Sequence, residues 1–400
     1  MIKEFIADEI VTSSSSRQGK LIRYRPGRLR VSNSTGKILS LESFSKSKTS
    51  LVARSKKRLR CIIPGLIDPH THLVFGGARS DEWSQRLEGT SYQDIAAKGG
   101  GIKRSVRSTR ELSETELLAS SKKRLEAFGR FGVTSLEIKS GYGLNLETEL
   151  KLLKCIKELK RHTQLSIFST FMGAHALPPE FDSSESYVEH LIKVILPRIR
   201  HLADFQDVFV ERGYFGVKES IRLLKAGREL GLIPRVHAHE FGRTGGVLVA
   251  ARVRAASADH LQYINDDDIR RLKKAQVVPV ILPGTSFFLG AKKFSPAKKL
   301  WKAGLPVAIA SDFNPGTNPS YNFPLFGTFA AVFAGLSLDQ ILVAQTWHAA
   351  QALQRSDCGR LAKGMRADFV SLDADRYEDM YYHYGCSLVR DVFVAGKKIF

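Results

Sequence analysis

Short apolar runs and longer amphipathic stretches alternate along most of this chain. Runs rich in β-branched residues near 61–68, 133–138, 165–172, 206–211, 234–238, 256–260, 277–282 and 306–311 predict strands. Apolar positions at helical spacing predict helices over 113–128, 146–161, 187–202, 217–230, 243–254, 265–274 and 296–303, with a last pair over about 323–334 and 337–354. Asn145 before Leu146-Glu147-Thr148-Glu149 is a helix start signal. Eight β-then-α units predict an α/β fold of the (β/α)8 TIM-type barrel class. The rival, a doubly wound open sheet, would carry G-x-G-x-x-G after a strand. Gly99-Gly100-Gly101 follows no predicted strand and reads as a flexible loop.

The two ends of the chain break this rhythm. Short strands are predicted at 21–25, 29–31 and 37–39, separated by Pro26-Gly27 and by polar loops at 13–16 and 43–50. Strands return at 368–372 and 388–394, with Ala395-Gly396 turning onto a terminal hairpin. The expectation is a small β-sandwich module built from both chain ends, 1–60 plus 356–400, beside a barrel over 61–355.

Composition narrows the class. The chain has 400 residues, 43% of them hydrophobic, ample for one large core and a small second unit. The absence of any run of about 18 apolar residues predicts no membrane span, and the acid-bearing start does not read as a signal peptide. The scattered Cys61, Cys155, Cys358 and Cys386 predict neither a disulfide framework nor a cysteine zinc site, and point to a reducing cytoplasm. The net charge is +21, and residues 1–60 hold 15 Lys plus Arg against 4 Asp plus Glu. Those basic positions are not interleaved with stacking aromatics and no nucleic-acid motif is present, so no nucleic-acid partner is expected. A solvated basic surface remains, and it would attract a small anion.

Active sites of (β/α)8 barrels sit at the C-terminal ends of the strands. There the sequence places His70 and His72, then Glu137-Ile138-Lys139, His175, Glu211, His237-Ala238-His239-Glu240, Asp259-His260 and Asp312-Phe313-Asn314. His70 and His72 are two apart, so in a strand end they face one side. With a strand-five histidine and Asp312 they form a three-His, one-carboxylate set suited to Zn²⁺ or Fe²⁺. Such a metal activates water and polarises a carbonyl, which serves hydrolysis of an amide-like C–N bond. On spacing alone either His237 or His239 could be the ligand. His260 is a candidate to orient water or hold an oxyanion. Lys139 ends strand two, whereas the carbamylated bridging lysines of two-metal barrel hydrolases end strand four, so a single metal is expected.

These residues, with the motifs Pro64-Gly65-Leu66-Ile67-Asp68-Pro69-His70-Thr71-His72 through Arg79, Gly99-Gly100-Gly101-Ile102, Glu137-Ile138-Lys139-Ser140-Gly141-Tyr142-Gly143-Leu144, Gly173-Ala174-His175, Ser257-Ala258-Asp259-His260 and Ser311-Asp312-Phe313-Asn314-Pro315-Gly316, resemble the amidohydrolase superfamily and, within it, the imidazolonepropionase family over roughly residues 60–370. The resemblance implies hydrolysis of 4-imidazolone-5-propanoate to N-formimidoyl-L-glutamate in histidine degradation. It implies metal binding by His70, His72, His237 and Asp312. It implies substrate contacts at Arg79, Tyr92, Tyr142, His175, Glu240, Asn314, Gly316 and Thr317. A cytoplasmic homodimer acting on a small anionic substrate is expected. A guanidinium such as Arg79 suits a substrate carboxylate.

The expected mechanism has metal-activated water attacking the ring carbonyl, His260 helping to stabilise the oxyanion, Asp312 taking the water proton and Glu240 serving a ring nitrogen. Two departures stand out. His239 occupies a position where the family usually has Asp, and the basic N-terminal segment matches the family poorly. Two other readings remain open: a deaminase of a guanidine- or amidine-containing ring, and a non-catalytic barrel with the basic N-terminus as its interface.

Overall fold

The computed structural model of the chain describes residues 1–16, 18–43, 58–90, 94–95 and 98–400. Strands β1 (Ile2–Ser13), β2 (Leu21–Tyr24), β3 (Gly27–Ser32), β4 (Ile38–Ser43) and β5 (Leu59–Pro64) open the chain. Eight short strands follow: β6 (Leu66–Asp68), β7 (Val133–Lys139), β8 (Ser166–Ala174), β9 (Phe205–Val210), β10 (Ile233–Ala238), β11 (Ser257–His260), β12 (Val278–Ile281) and β13 (Ala308–Ile309). The last three are β14 (Phe369–Leu372), β15 (Val389–Val394) and β16 (Lys397–Lys398).

Strands β6 to β13 pair in sequence order and in parallel, with helices between them. The seam between first and last strand is bridged at Thr71 and Phe313, which gives a nearly closed (β/α)8 barrel. The chain ends form a separate mixed sheet in the order β16-β15-β14-β5-β1-β3-β4, with β2 also on β1. Period-two alternation covers both faces of that sheet. Phe369 and Phe393 stack with ring centroids 4.4 Å apart in a local cluster with Ala7, Ile10, Leu29 and Ile62. Cys61, Ile63, Val370, Leu372, Val392 and Val394 face the main core.

Several elements differ from expectation. The run at 61–68 is two strands, and the chain crosses from one sheet to the other at Gly65, where any side chain would strike Thr134. The long strand β1 was not legible, because Glu9 is buried against its polar pattern. Glu9 accepts from Arg23 at 3.2 Å and also pairs with Arg25. The helix expected over 187–202 contains a π turn at Leu191–Ile195 between Ser184–His190 and Leu196–Ile199. Pro197 explains it: its ring cannot tolerate the normal i−4 carbonyl and it lacks an N–H to give. The helix expected over 337–354 is broken into Leu338–Ala344 and Trp347–Ala352 at Thr346, whose backbone is not helical. Helices Ser80–Leu87 and Ile102–Glu111 were not anticipated, and Gly101 of the expected flexible loop caps the second of them. The expected loop at 43–50 lies outside the described residues beyond Ser43.

Candidate metal centre and active site

The C-terminal ends of the barrel strands meet above the core, and the candidate residues meet there. Nitrogens of His70, His237 and His260 lie within 4.8 Å of one another, as do ligand atoms of His70, His72 and Asp312. His70 Nε2 and His72 Nε2 are 3.5 and 3.6 Å from the same Asp312 oxygen, Oδ1. Its other oxygen accepts from the Thr285 hydroxyl at 2.7 Å. His70, His72 and His260 are all shifted well below the usual imidazole range, by burial first and then by neighbouring cations and imidazoles. Burial, opposed by Thr285 and by the fields of His237 and Lys139, pushes Asp312 up to about 6.

Strand five separates its two histidines. The His237 ring lies 4.5 Å from that of His70 and 5.1 Å from that of His260. His239 follows the strand end with φ +59, and its ring turns away, where Nε2 accepts from the Gly245 N–H at 3.3 Å and Nδ1 stands 3.8 Å from Asp268. The second imidazole therefore stays away from the ligand cluster. His260 and Asp312 also have positive φ, +80 and +54, so both strands end in left-handed turns that aim these side chains.

A cavity of about 770 Å³ opens over the cluster, lined in part by Arg79, Tyr142, His175, Glu240, Asn314 and Thr317. The His175 ring stacks on that of His72 at 4.9 Å, and its Nδ1 is 3.0 Å from the Gly141 carbonyl. Burial, then the His237 charge, lowers His175 to about 3. Glu240 is raised well above the carboxylate range by burial and then by Asp312 and Glu211. Arg79 is 7% exposed, and its Nε has no hydrogen-bond partner. Its guanidinium occupies the space that a Gly316 side chain would fill, so Gly316 makes room for the arginine. The Asn314 amide is used within its own loop: Oδ1 accepts from Gly316 and Thr317 N–H groups at 2.8 Å, while Nδ2 donates to Asp312 O and Thr317 Oγ1 at 2.7 Å. Tyr92 lies outside the described residues.

Sequence reasoning assigned no role to Glu149. Its buried carboxylate accepts from Gly141 N–H (3.2 Å), Gly143 N–H (2.8 Å) and Leu144 N–H (2.9 Å), and so folds the loop that carries Tyr142. Acidic residues in a first helical turn are common, so nothing at Glu149 marked it out. Lys139 donates to Glu137 and to Asp207, both at 2.7 Å. Burial alone would lower the ammonium, but Asp207 and Glu137 outweigh it and raise it. A lysine so paired stays charged, unlike one that bridges metals as a carbamate.

An amidohydrolase family model matches residues 88–389. An imidazolonepropionase of Geobacillus kaustophilus is 43% identical over 344 residues, covering 85% of this chain and 81% of that protein. One of Pseudomonas aeruginosa is 44% identical over 343 residues, covering 85% of each. The chain belongs to the imidazolonepropionase family of the amidohydrolases.

Among solved structures, 5-methylcytosine deaminase from Klebsiella pneumoniae superposes with a TM-score of 0.75 at 19% identity, covering 98% of this chain and 97% of that one. A. niger ochratoxinase gives 0.71 at 17%, covering 99% and 95%. At such identities these two speak for the fold alone. Membership of the family makes this chain a hydrolase of a small molecule, with a divalent metal implied. The donor set fits such an ion. The Nε2 atoms of His70 and His237 are buried with no hydrogen-bond partner, and both residues belong to the cluster. Among the described residues no helix is long and apolar enough to cross a membrane.

Proposed function

We propose that this chain opens the imidazolone ring of 4-imidazolone-5-propanoate to give N-formimidoyl-L-glutamate, the step of histidine degradation that its relatives' name denotes. The reading is carried by two ligand-atom groups that share His70, one with His72 and Asp312 and one with His237 and His260, beside a cavity lined by His72, His237, His260, Asp312 and the buried Arg79. Zn²⁺ or Fe²⁺ suits three imidazoles and a carboxylate. Bound there, it would supply Lewis acidity toward the ring carbonyl and toward water.

The residues then divide the work. Arg79 pairs with the propanoate carboxylate and fixes which ring carbon lies over the cluster. Tyr142 and His175 pack against the ring, Gly316 and Thr317 complete the wall, and Asn314 holds that wall in shape. Tyr92 belongs to the same substrate set by family likeness. Water adds to the ring carbonyl carbon, and Asp312 accepts its proton at a carboxylate oxygen. His260 hydrogen-bonds the oxygen that gains charge. Glu240, biased toward its protonated form, delivers a proton to the ring nitrogen as the C–N bond breaks. Atoms balance: one water enters and a carboxylate and a formimidoyl nitrogen result.

The same reading takes the protein as a cytoplasmic homodimer with no nucleic-acid partner, and keeps the expected division into a barrel over 61–355 and an end module of 1–60 with 356–400, except that β5 (Leu59–Pro64) pairs into the end sheet. The deciding experiment is hydrolysis of imidazolone propionate by purified protein, with elemental metal analysis on the same sample. Turnover with about one metal per chain is expected; bound metal without turnover would point to another ring substrate.

A further inference from the structure

Directly behind the metal-ligand candidates lies a chain of buried charges. It starts at His70, whose Nδ1 is hydrogen-bonded with Asp259 Oδ2 at 2.6 Å. The same oxygen accepts from Arg235 Nη2 at 3.1 Å. Arg235 also donates to the Pro69 and Ala352 carbonyls at 2.7 and 3.2 Å, and its Nε stands 3.8 Å from Glu137 Oε1. Glu137 accepts from Lys139, which donates equally to Asp207. Asp207 Oδ2 lies 3.0 Å from His237 Nδ1, angled off an ideal hydrogen bond. The chain thus runs from one ligand histidine to another through β11, β10, β7 and β9.

All five charged side chains are fully shielded from solvent. Barrel interiors are usually filled with Val, Ile and Leu, and buried ion pairs are a weak source of stability. A layer of three carboxylates and two cations here therefore asks for another purpose. Its excess is negative, which suits a cation above it. Its contacts fall on the Nδ1 side of both histidines, as a 2.6 Å hydrogen bond at His70 and a 3.0 Å approach at His237, and nothing in the protein hydrogen-bonds Nε2 of either ring.

We propose that Asp259 and Asp207 are positioning residues that hold His70 and His237 protonated on Nδ1, so that both present Nε2 to the metal, and that Arg235, Glu137 and Lys139 tie the two carboxylates into one unit. A carboxylate can only accept, so a neutral histidine facing it must place its proton on Nδ1. An asparagine can turn its N–H₂ toward the ring and reverse the tautomer, putting a proton on the nitrogen that should bind. This inference rests on the metal-hydrolase reading above.

The test is Zn²⁺ affinity, measured by competition with a chromophoric chelator on metal-stripped wild type, Asp259→Asn, Asp207→Asn and the double variant, alongside ¹⁵N NMR of the histidine tautomers in metal-free wild type. Each single variant should bind Zn²⁺ about 10- to 100-fold more weakly, the usual scale for such supporting groups. The double variant should lose less than the product of the two, because the residues share one network. NMR should show His70 and His237 protonated on Nδ1. Folded single variants with wild-type affinity would overturn the proposal, as would protonation on Nε2 in wild type. Should a variant fail to fold, the wild-type tautomers decide. A wild type that binds no Zn²⁺ or Fe²⁺ would instead defeat the metal-hydrolase reading itself.

Discussion

The backbone N–H of Asp312 donates to the carbonyl oxygen of His70 at 2.9 Å. Beside it the His72 N–H donates to Phe313 O at 2.8 Å. These bonds join the first and last barrel strands at the level where the candidate ligand side chains emerge. Closing the barrel and assembling the site are the same event, which places a carboxylate from the end of the barrel 3.5 Å from an imidazole at its beginning.

His260 shares a ligand-atom group with His70 and His237, Glu240 lines the adjoining cavity, and the proposed four-donor set of His70, His72, His237 and Asp312 leaves both for the chemistry. His260→Asn and Glu240→Gln should each lower kcat by about 10²- to 10⁴-fold, the range of a lost acid–base group. Metal content should remain at the wild-type level by elemental analysis. Metal loss in the His260 variant would make that residue a ligand, as its closeness to His70 and His237 would allow.

Gly316 leaves the space that the Arg79 guanidinium occupies. Gly316→Ala should displace the arginine and raise KM about 10- to 100-fold, the value of one charge-assisted hydrogen bond, with a smaller effect on kcat. Arg79→Lys should not restore KM, because an ammonium cannot reproduce a two-pronged grip on a carboxylate. Steady-state kinetics on the two variants would separate this role from a general loss of folding. Equal KM in wild type and Gly316→Ala would refute it.

Glu149 satisfies three buried N–H groups of the loop that carries Tyr142. Glu149→Ala should cost about 2–4 kcal/mol of stability, since buried donors left unpaired are expensive. Glu149→Gln keeps an accepting oxygen and should recover most of that loss. Denaturant unfolding measures both, and similar midpoints for Ala and Gln would contradict the assignment.

Asp368, in the end sheet, accepts from Ala395 N–H at 2.8 Å and pairs with Arg366 at 3.0 Å. Burial nonetheless raises it from 3.8 to about 6. A raised carboxyl favours the folded state when protonated. That contribution is fully present below about 3.8 and is lost as pH rises through about 6, a change on the order of 3 kcal/mol at most. Asp368→Asn escapes the loss. The variant's Tm relative to wild type should therefore become more favourable between pH 5 and pH 7.5; a pH-independent difference would show that Asp368 titrates normally.

The sequence by itself determined a good deal of this. Strand period two places His70 and His72 on one side, and the recurrence of apolar run and amphipathic stretch specifies the barrel whatever the details of packing. The rank of polar residues at successive strand ends marked the reactive face, because in this fold those ends converge. What escaped were features made by residues distant in sequence. His237 and His239 are equivalent in spacing, and only the left-handed backbone at His239 separates them. The long strand β1 hid behind Glu9, whose burial is tolerable only because Arg23 arrives from β2 and Arg25 from the turn that follows it. Asp207 and Arg235 look like ordinary strand residues, and Asp259 shows no partner, until parallel pairing brings their strands together. Local pattern sets which way a side chain faces; only closure of the barrel decides what it meets there.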